Sequence, residues 1–222
     1  MTVALAIPVI EQIKELGSRY SAWLVDIWGV MHNGRRAFPD AVEAPRAFRK
    51  QGGIVVLLSN SPRPSPSVQE QLRHLGVPDA AYDATVTSGD LTRHELRKHA
   101  GATVYHLGPE RDRPIFHGLP VKLGPPEEAS LVVCSGLFDD ETETPDSYRE
   151  MLTKMRGRNL FMVCGNPDLV VERGNRLVYC AGAVADLYAE MGGDVLYAGK
   201  PHAPIYEECL SRVSSLRGRE PE

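Results

Sequence analysis

Ala22-Trp23-Leu24-Val25-Asp26-Ile27-Trp28-Gly29-Val30 is an apolar run with a single acid inside it. The stretch 22–27, bounded by Ser21 and Gly29, predicts a strand buried on both faces. A carboxylate at the tip of such a strand is costly unless something pairs it. Asp26 is therefore either a cap for the turn that follows or the seat of chemistry, and the run alone does not choose.

Outward from this strand, the pattern alternates. Before it, Val9, Ile10, Ile13 and Leu16 share one face of a predicted helix over 7–16. After it, Asp40-x-x-Glu43 reads as a capping box for a helix closed by Gly52-Gly53, although Pro45 implies a later start or a kink. Residues 54–58 form a second apolar strand. Ser67-x-x-Glu70 reads as the cap of a helix ending at Gly76, and 84–87 as a weaker third strand. Apolar strands alternating with helices predict an α/β fold, a doubly wound parallel sheet, in which chemistry gathers at the carboxyl ends of the strands.

The middle of the chain has a different texture. Residues 102–107, 131–135 and 160–164 are strand-like, a helix is predicted over 145–155, and prolines crowd 108–126. This reads as a smaller α/β unit inserted into the first, dividing the chain into 1–92, 93–194 and 195–222. A helix over 184–190 and a strand over 195–198 lead into Gly199-Lys200-Pro201 and a further helix over 204–211.

Composition narrows the function classes. With 222 residues, 42% apolar and 24% charged, the chain is long enough for a substantial core. Its net charge of −4, with basic and acidic residues interleaved, argues against a nucleic-acid or anionic-membrane surface. Cys134, Cys164, Cys180 and Cys209 show no metal-site spacing and are expected to be buried free thiols. The opening MTVALAIPVI lacks a basic leader and is too short to span a bilayer, so a cytoplasmic protein is expected.

Three clusters stand at strand ends: Asp26-Ile27-Trp28-Gly29-Val30, Leu58-Ser59-Asn60-Ser61 and Gly199-Lys200-Pro201. Taken singly, the second is an ordinary turn and the third a surface lysine. In this order they resemble motifs one, two and three of the haloacid dehalogenase (HAD) superfamily. The long insert between Asn60 and Lys200 resembles class IIA, whose large C2 cap lies between motifs two and three. Cys164-Gly165-Asn166-Pro167-Asp168 with Ala181-Gly182-Ala183 is similar to the cap of the NagD-like sugar- and nucleotide-phosphatase group.

The resemblance implies a Rossmann-like core with an inserted cap and a phosphatase acting on a small phosphorylated metabolite. Asp26 would be the nucleophile and Lys200 its charge partner, while Ser59 and Asn60 would bind the phosphoryl oxygens. Mg²⁺ would be held by Asp26 and the backbone carbonyl of Trp28. Asn166 and Asp168, together with Phe138-Asp139-Asp140, are candidates for reading the leaving group.

Two departures temper this. Position 28 is Trp where the family has a second Asp, and the indole cannot shuttle protons; such help is worth ~10²–10⁴-fold. His32 is the nearest titratable substitute, though a loop histidine is more often structural. The family's acidic fourth motif has no match after Lys200, where the sequence ends in SRVSSLRGREPE. Weak metal binding and little or no steady-state hydrolysis of ordinary phosphomonoesters are expected, even with millimolar Mg²⁺. The alternatives are a truncated, non-catalytic phosphate-binding protein of the same fold, or an interaction module pairing through a sheet edge with a partner or a second copy.

Overall fold

The structure is a computed structural model that describes residues 12–17, 19–173 and 176–218. Most of the helix expected over 7–16 lies outside the described residues; α1 (Lys14–Gly17) is its described end.

The first sheet is built from β1 (Ala22–Asp26), β2 (Ile54–Ser59) and β3 (Ala84–Thr87), in the order β1-β2-β3 and parallel throughout. Side chains on successive residues of β2 alternate between its two faces. Val55 and Leu57 join Ile27, Met31, Phe48 and Leu72 on one face. Val56 and Leu58 join Ile205, Cys209 and Val213 on the other. The helices that supply these layers are α2 (Pro39–Lys50), α3 (Ser65–His74) and, on the second face, α7 (Ala203–Arg217). Both faces of β2 are covered, which is why residues 54–58 are apolar at every position rather than at alternate ones, whereas β1, at the sheet edge, is only partly buried.

Both predicted capping boxes in this half are displaced. Pro39 and Pro66 occupy the first turns instead: Phe38 and Pro64 are the N-caps, neither makes a side-chain cap bond, and Asp40 and Ser67 fall inside the first turn. Proline is suited to the start of a helix because its fixed φ fits and its missing N–H would be unpaired there anyway. The α2 helix runs through Pro45 without ending.

A true capping box opens α4 (Ser88–Arg97). Thr87 Oγ1 accepts from the Asp90 N–H at 3.1 Å, and Asp90 Oδ2 accepts from the Thr87 N–H at 3.0 Å. Asp90 Oδ1 also takes the Ser65 N–H at 3.0 Å, so one carboxylate ties the starts of two helices together.

From α4 the chain enters a second parallel sheet: β4 (Thr103–Leu107), β5 (Lys122–Leu123), β6 (Leu131–Cys134), β7 (Phe161–Cys164) and β10 (Val195–Tyr197), in the order β10-β7-β6-β4-β5. The strand at 195–197, which the sequence placed beyond the insert, pairs with β7 in this sheet. One face packs on α5 (Arg149–Gly157) and α6 (Ala181–Glu190) through Val132, Cys134, Leu152, Met155, Val184 and Tyr188. The other packs on Leu96, Ile115 and Phe116. A hairpin of β8 (Val170–Arg173) and β9 (Arg176–Tyr179) stands apart from both sheets. Leu91 of α4 contacts the cores of both sheets.

All four cysteines are buried and free. Among the described residues no helix is long and apolar enough to cross a membrane.

The capping box gives a stability test. Thr87→Val removes the hydroxyl from a fully buried site at nearly constant volume and leaves the Asp90 N–H without its acceptor. We expect a loss of about 1 kcal/mol in urea denaturation; an unchanged midpoint would mean the box contributes nothing.

Candidate active site

Asp26 ends β1 in register with Leu58, so Ser59 stands one residue further along the adjacent strand, at the same edge of the sheet. The chain then turns sharply, with the Met31 N–H donating to the Ile27 carbonyl at 2.9 Å. The Gly34 N–H donates to His32 Nδ1 at 3.0 Å, which makes Nδ1 the acceptor and leaves Nε2 to carry the proton of the neutral ring. Burial and the Arg63 guanidinium hold His32 below its usual pKa, with the Asp26 carboxylate pulling the other way. The Trp28 ring meets His32 edge-on at 5.5 Å.

Lys200 reaches back across 174 residues of sequence and forms an ion pair with Asp26 through Nζ and Oδ1. Asn60 sets its position. Asn60 Oδ1 accepts from the Lys200 N–H at 2.7 Å, and Nδ2 donates to the Lys200 carbonyl at 3.0 Å and to Asp168 Oδ1 at 2.8 Å. The approach is so close that a Cβ on Gly199 would lie 2.2 Å from Ser88 Oγ and 2.6 Å from Asn60 Oδ1, so only glycine fits there. Asp168 is in turn fixed by its N–H donating to Asn166 Oδ1 at 3.1 Å.

This corrects one expectation. The Asn60 side chain spends both N–H donors and its oxygen on Lys200 and Asp168, so it has no donor left for a phosphoryl oxygen. It holds the lysine instead. Ser59 is different: its Oγ accepts from the Ser61 N–H at 3.1 Å, which leaves its own proton to donate.

A cleft of about 400 Å³ opens between the two sheets, and Trp28, Ser59, Asn60, Asn166 and Asp168 all contribute to its wall. Asp26 and Lys200, closed on each other, are not part of that lining. Asp140 does line it, held between Arg111 at 2.7 Å and Arg173 at 2.8 and 2.7 Å, and the Arg173 bond leads in keeping its carboxyl below the usual range. Asp139 instead accepts from its own turn, from the Glu141 N–H at 3.0 Å and the Thr142 hydroxyl at 2.7 Å.

Sequence reasoning missed the remaining polar wall. Arg63 reaches into the cleft and hydrogen-bonds Gln71. Asp112 and Ser135 line the cleft from the second sheet, and His106 Nε2 lies 2.8 Å from Ser135 Oγ. Ser135 also hydrogen-bonds Asp112. Each hydrogen is used once if His106 Nε2–H donates to Ser135 and the Ser135 hydroxyl donates to Asp112. Gly108, at φ +153°, clears the space, since a Cβ there would meet Ser135 Oγ at 2.2 Å. A usable signal existed: Ser135 directly follows β6 and Gly108 directly follows β4, both at carboxyl ends of parallel strands.

Among the described residues no group of three or more His, Cys, Asp or Glu is gathered to hold a metal ion. The Asp26 carboxylate and Trp28 carbonyl are oxygens, the donor type Mg²⁺ takes, but they fill two of its roughly six positions. They fit such an ion in kind and only partly in number.

A strand-tip carboxylate is thus paired with a lysine from a distant loop, beside a strand-end serine. A profile of the haloacid dehalogenase-like hydrolases matches residues 23–122. The crystal structure of a haloacid dehalogenase-like family hydrolase from Brucella suis 1330 is 48% identical, covering 96% of this chain and 79% of that one, with a TM-score of 0.91. The chain belongs to the haloacid dehalogenase-like hydrolase family. A 5'-nucleotidase, YutF, of Bacillus subtilis (strain 168) is 24% identical over 193 residues, 86% of this chain and 73% of its own length. A p-nitrophenyl phosphatase from Archaeoglobus fulgidus shares the fold at a TM-score of 0.71 and 20% identity, over 87% of this chain and 74% of that one.

The His106 contact carries a pH signature. Burial pushes its imidazole from 6.5 down to about 4. The unfolded chain therefore takes up this proton at higher pH than the folded chain does. Its contribution to stability is intact above about pH 6.5 and lost as pH falls toward 4. We expect His106→Gln, which keeps a donor for Ser135, to flatten the decline of the urea midpoint across that window; an unchanged decline would contradict the assignment.

Proposed function

We propose that this chain is a phosphatase of small phosphorylated metabolites that works through an aspartyl-phosphate on Asp26, with the second sheet and its loops acting as the cap over the site. The observation that carries the reading is the Asp26–Lys200 ion pair at the carboxyl edge of the first sheet, next to Ser59.

The pair occupies Oδ1 of Asp26, so attack on phosphorus falls to Oδ2. Bond formation to phosphorus breaks the bond to the leaving-group oxygen, and water then hydrolyses the acyl phosphate and restores the carboxylate. Lys200 offsets the negative charge that a carboxylate and a phosphate dianion bring together. The Ser59 hydroxyl donates to a phosphoryl oxygen. Asn60 acts through Lys200, by fixing its backbone. Mg²⁺, the ion we propose for the Asp26 carboxylate and the Trp28 carbonyl, would supply further charge neutralisation when bound. With two protein oxygens for the ion and an indole at position 28, turnover should be slow.

The test is steady-state release of phosphate from a panel of phosphomonoesters in millimolar Mg²⁺. Release should fall to background in Asp26→Asn, and by ~10²–10³-fold in Lys200→Ala, the scale of losing one preorganised electrostatic contact. Saturable ester binding without release by the unaltered chain would contradict the enzyme reading and favour a phosphate-binding protein of the same fold.

A further inference from the structure

The carboxylate of Asp112 has no part in the chemistry just described, yet it lines the same cleft as Ser59. It lies in the first turn of the short 3-10 helix Glu110–Phe116 and is only 5% exposed. Ser135, 3% exposed at the end of β6, hydrogen-bonds it, and His106 of β4 fixes Ser135 from behind at 2.8 Å. Two strand ends and a helix turn thus converge to orient one buried acid toward an open space.

Such an arrangement is costly if it serves only itself. A carboxylate has about four acceptor sites, and the side-chain donor described for Asp112 is a single neutral hydroxyl. Burial pushes its carboxyl above the usual range, and the Ser135 hydroxyl and, at a distance, Arg111 and Arg63 pull the other way. Arg111 is itself bonded to Asp140, and Arg63 to Gln71. Asp112 therefore retains acceptor capacity facing the cleft.

The sign of the charge says what could use it. A carboxylate repels a phosphate dianion, so Asp112 must meet the alcohol portion of an ester rather than its phosphoryl group. A hydroxyl on that alcohol is a donor and satisfies the acid, whereas an aryl or plain alkyl group leaves it desolvated and unpaired. A site built this way rejects the analogue lacking the hydroxyl more strongly than it attracts the right ligand.

We propose that Asp112, positioned by Ser135 and His106, is a hydroxyl-reading subsite, and that the chain selects phosphate esters of polyhydroxylated alcohols over aryl and simple alkyl esters. The proposal rests on Asp26 being the phosphoryl-transfer centre at the edge of that cleft, beside Ser59 of its wall.

The experiment separates the two claims. The Asp26→Asn chain is titrated calorimetrically with ribose 5-phosphate and with 4-nitrophenyl phosphate. The titrations are repeated after adding Asp112→Asn or, as a second variant, Ser135→Ala, with melting temperatures confirming that each chain folds. We expect ribose 5-phosphate to lose ~10-fold or more in affinity, the scale of one hydrogen bond to a charged group, while 4-nitrophenyl phosphate changes by less than ~3-fold. Equal losses for both esters would assign the trio a structural role and overturn the proposal. So would unchanged affinities for both, or no binding of either ester by the parent. Discrimination that depends on Asp112, in a chain whose unaltered form releases no phosphate, would overturn the Asp26 reading alone.

Discussion

The structure depends on one ion pair whose members lie at opposite ends of the chain. Asp26 sits at the tip of an edge strand that is only partly buried, not buried on both faces as its sequence implied, and its charge is compensated by Lys200. Both side chains keep some solvent contact, at 37% for Asp26 and 24% for Lys200, so the pair is screened and its value to stability is modest. Its value lies in placement. To bring Lys200 to Asp26, the chain must complete a second sheet, return across Asn60 and Gly199, and dock α7 on the first sheet. Asn60 is the joint. It holds the Lys200 backbone on one side and Asp168 from the second sheet's loops on the other, so the residue that positions the lysine also fixes where the cleft closes.

That joint shows how motif reading and structure diverge. Asp26, Ser59 and Lys200 could be singled out only as an ordered set that resembles the haloacid dehalogenase motifs, although the apolar strands before them were easy to see. The role of Asn60 was not, since an amide at a strand end serves equally well to bind an anion or to clamp a backbone. Its three hydrogen bonds decide for the clamp. Similarly, Asp40 and Ser67 have the right spacing for capping boxes, but the helices start earlier, with Pro39 and Pro66 in their first turns. A residue that fits the first helical position by its own ring geometry outranks a side chain that must compete with water for the same job.

The features unread in the sequence share a physical cause. The β8–β9 hairpin is an exposed ribbon of two four-residue strands whose charged residues, Glu172, Arg173 and Arg176, cluster at the turn end, with Leu177 68% exposed, so it lacks the apolar run that marks the buried strands. The Arg111–Asp140–Arg173 cluster and the Asp112–Ser135–His106 trio each join three separate segments of sequence. Loop side chains meet only after the sheets fix their ends, and no spacing rule in one dimension anticipates that. Together with Arg63 they give the cleft a wall of mixed charge, with Arg63, Arg111 and Arg173 beside Asp112 and Asp140.

The central claim is that the Asp26–Lys200 pair is a phosphoryl-transfer centre. The most direct measurement is to mix the chain with a phosphomonoester that it hydrolyses, quench in acid within the first turnovers, and map the added phosphoryl group by peptide mass spectrometry. The account predicts one modified carboxylate, at Asp26, and none in Asp26→Asn. Phosphate release without any acyl-phosphate at Asp26, or a phosphoryl group on another residue, would contradict it.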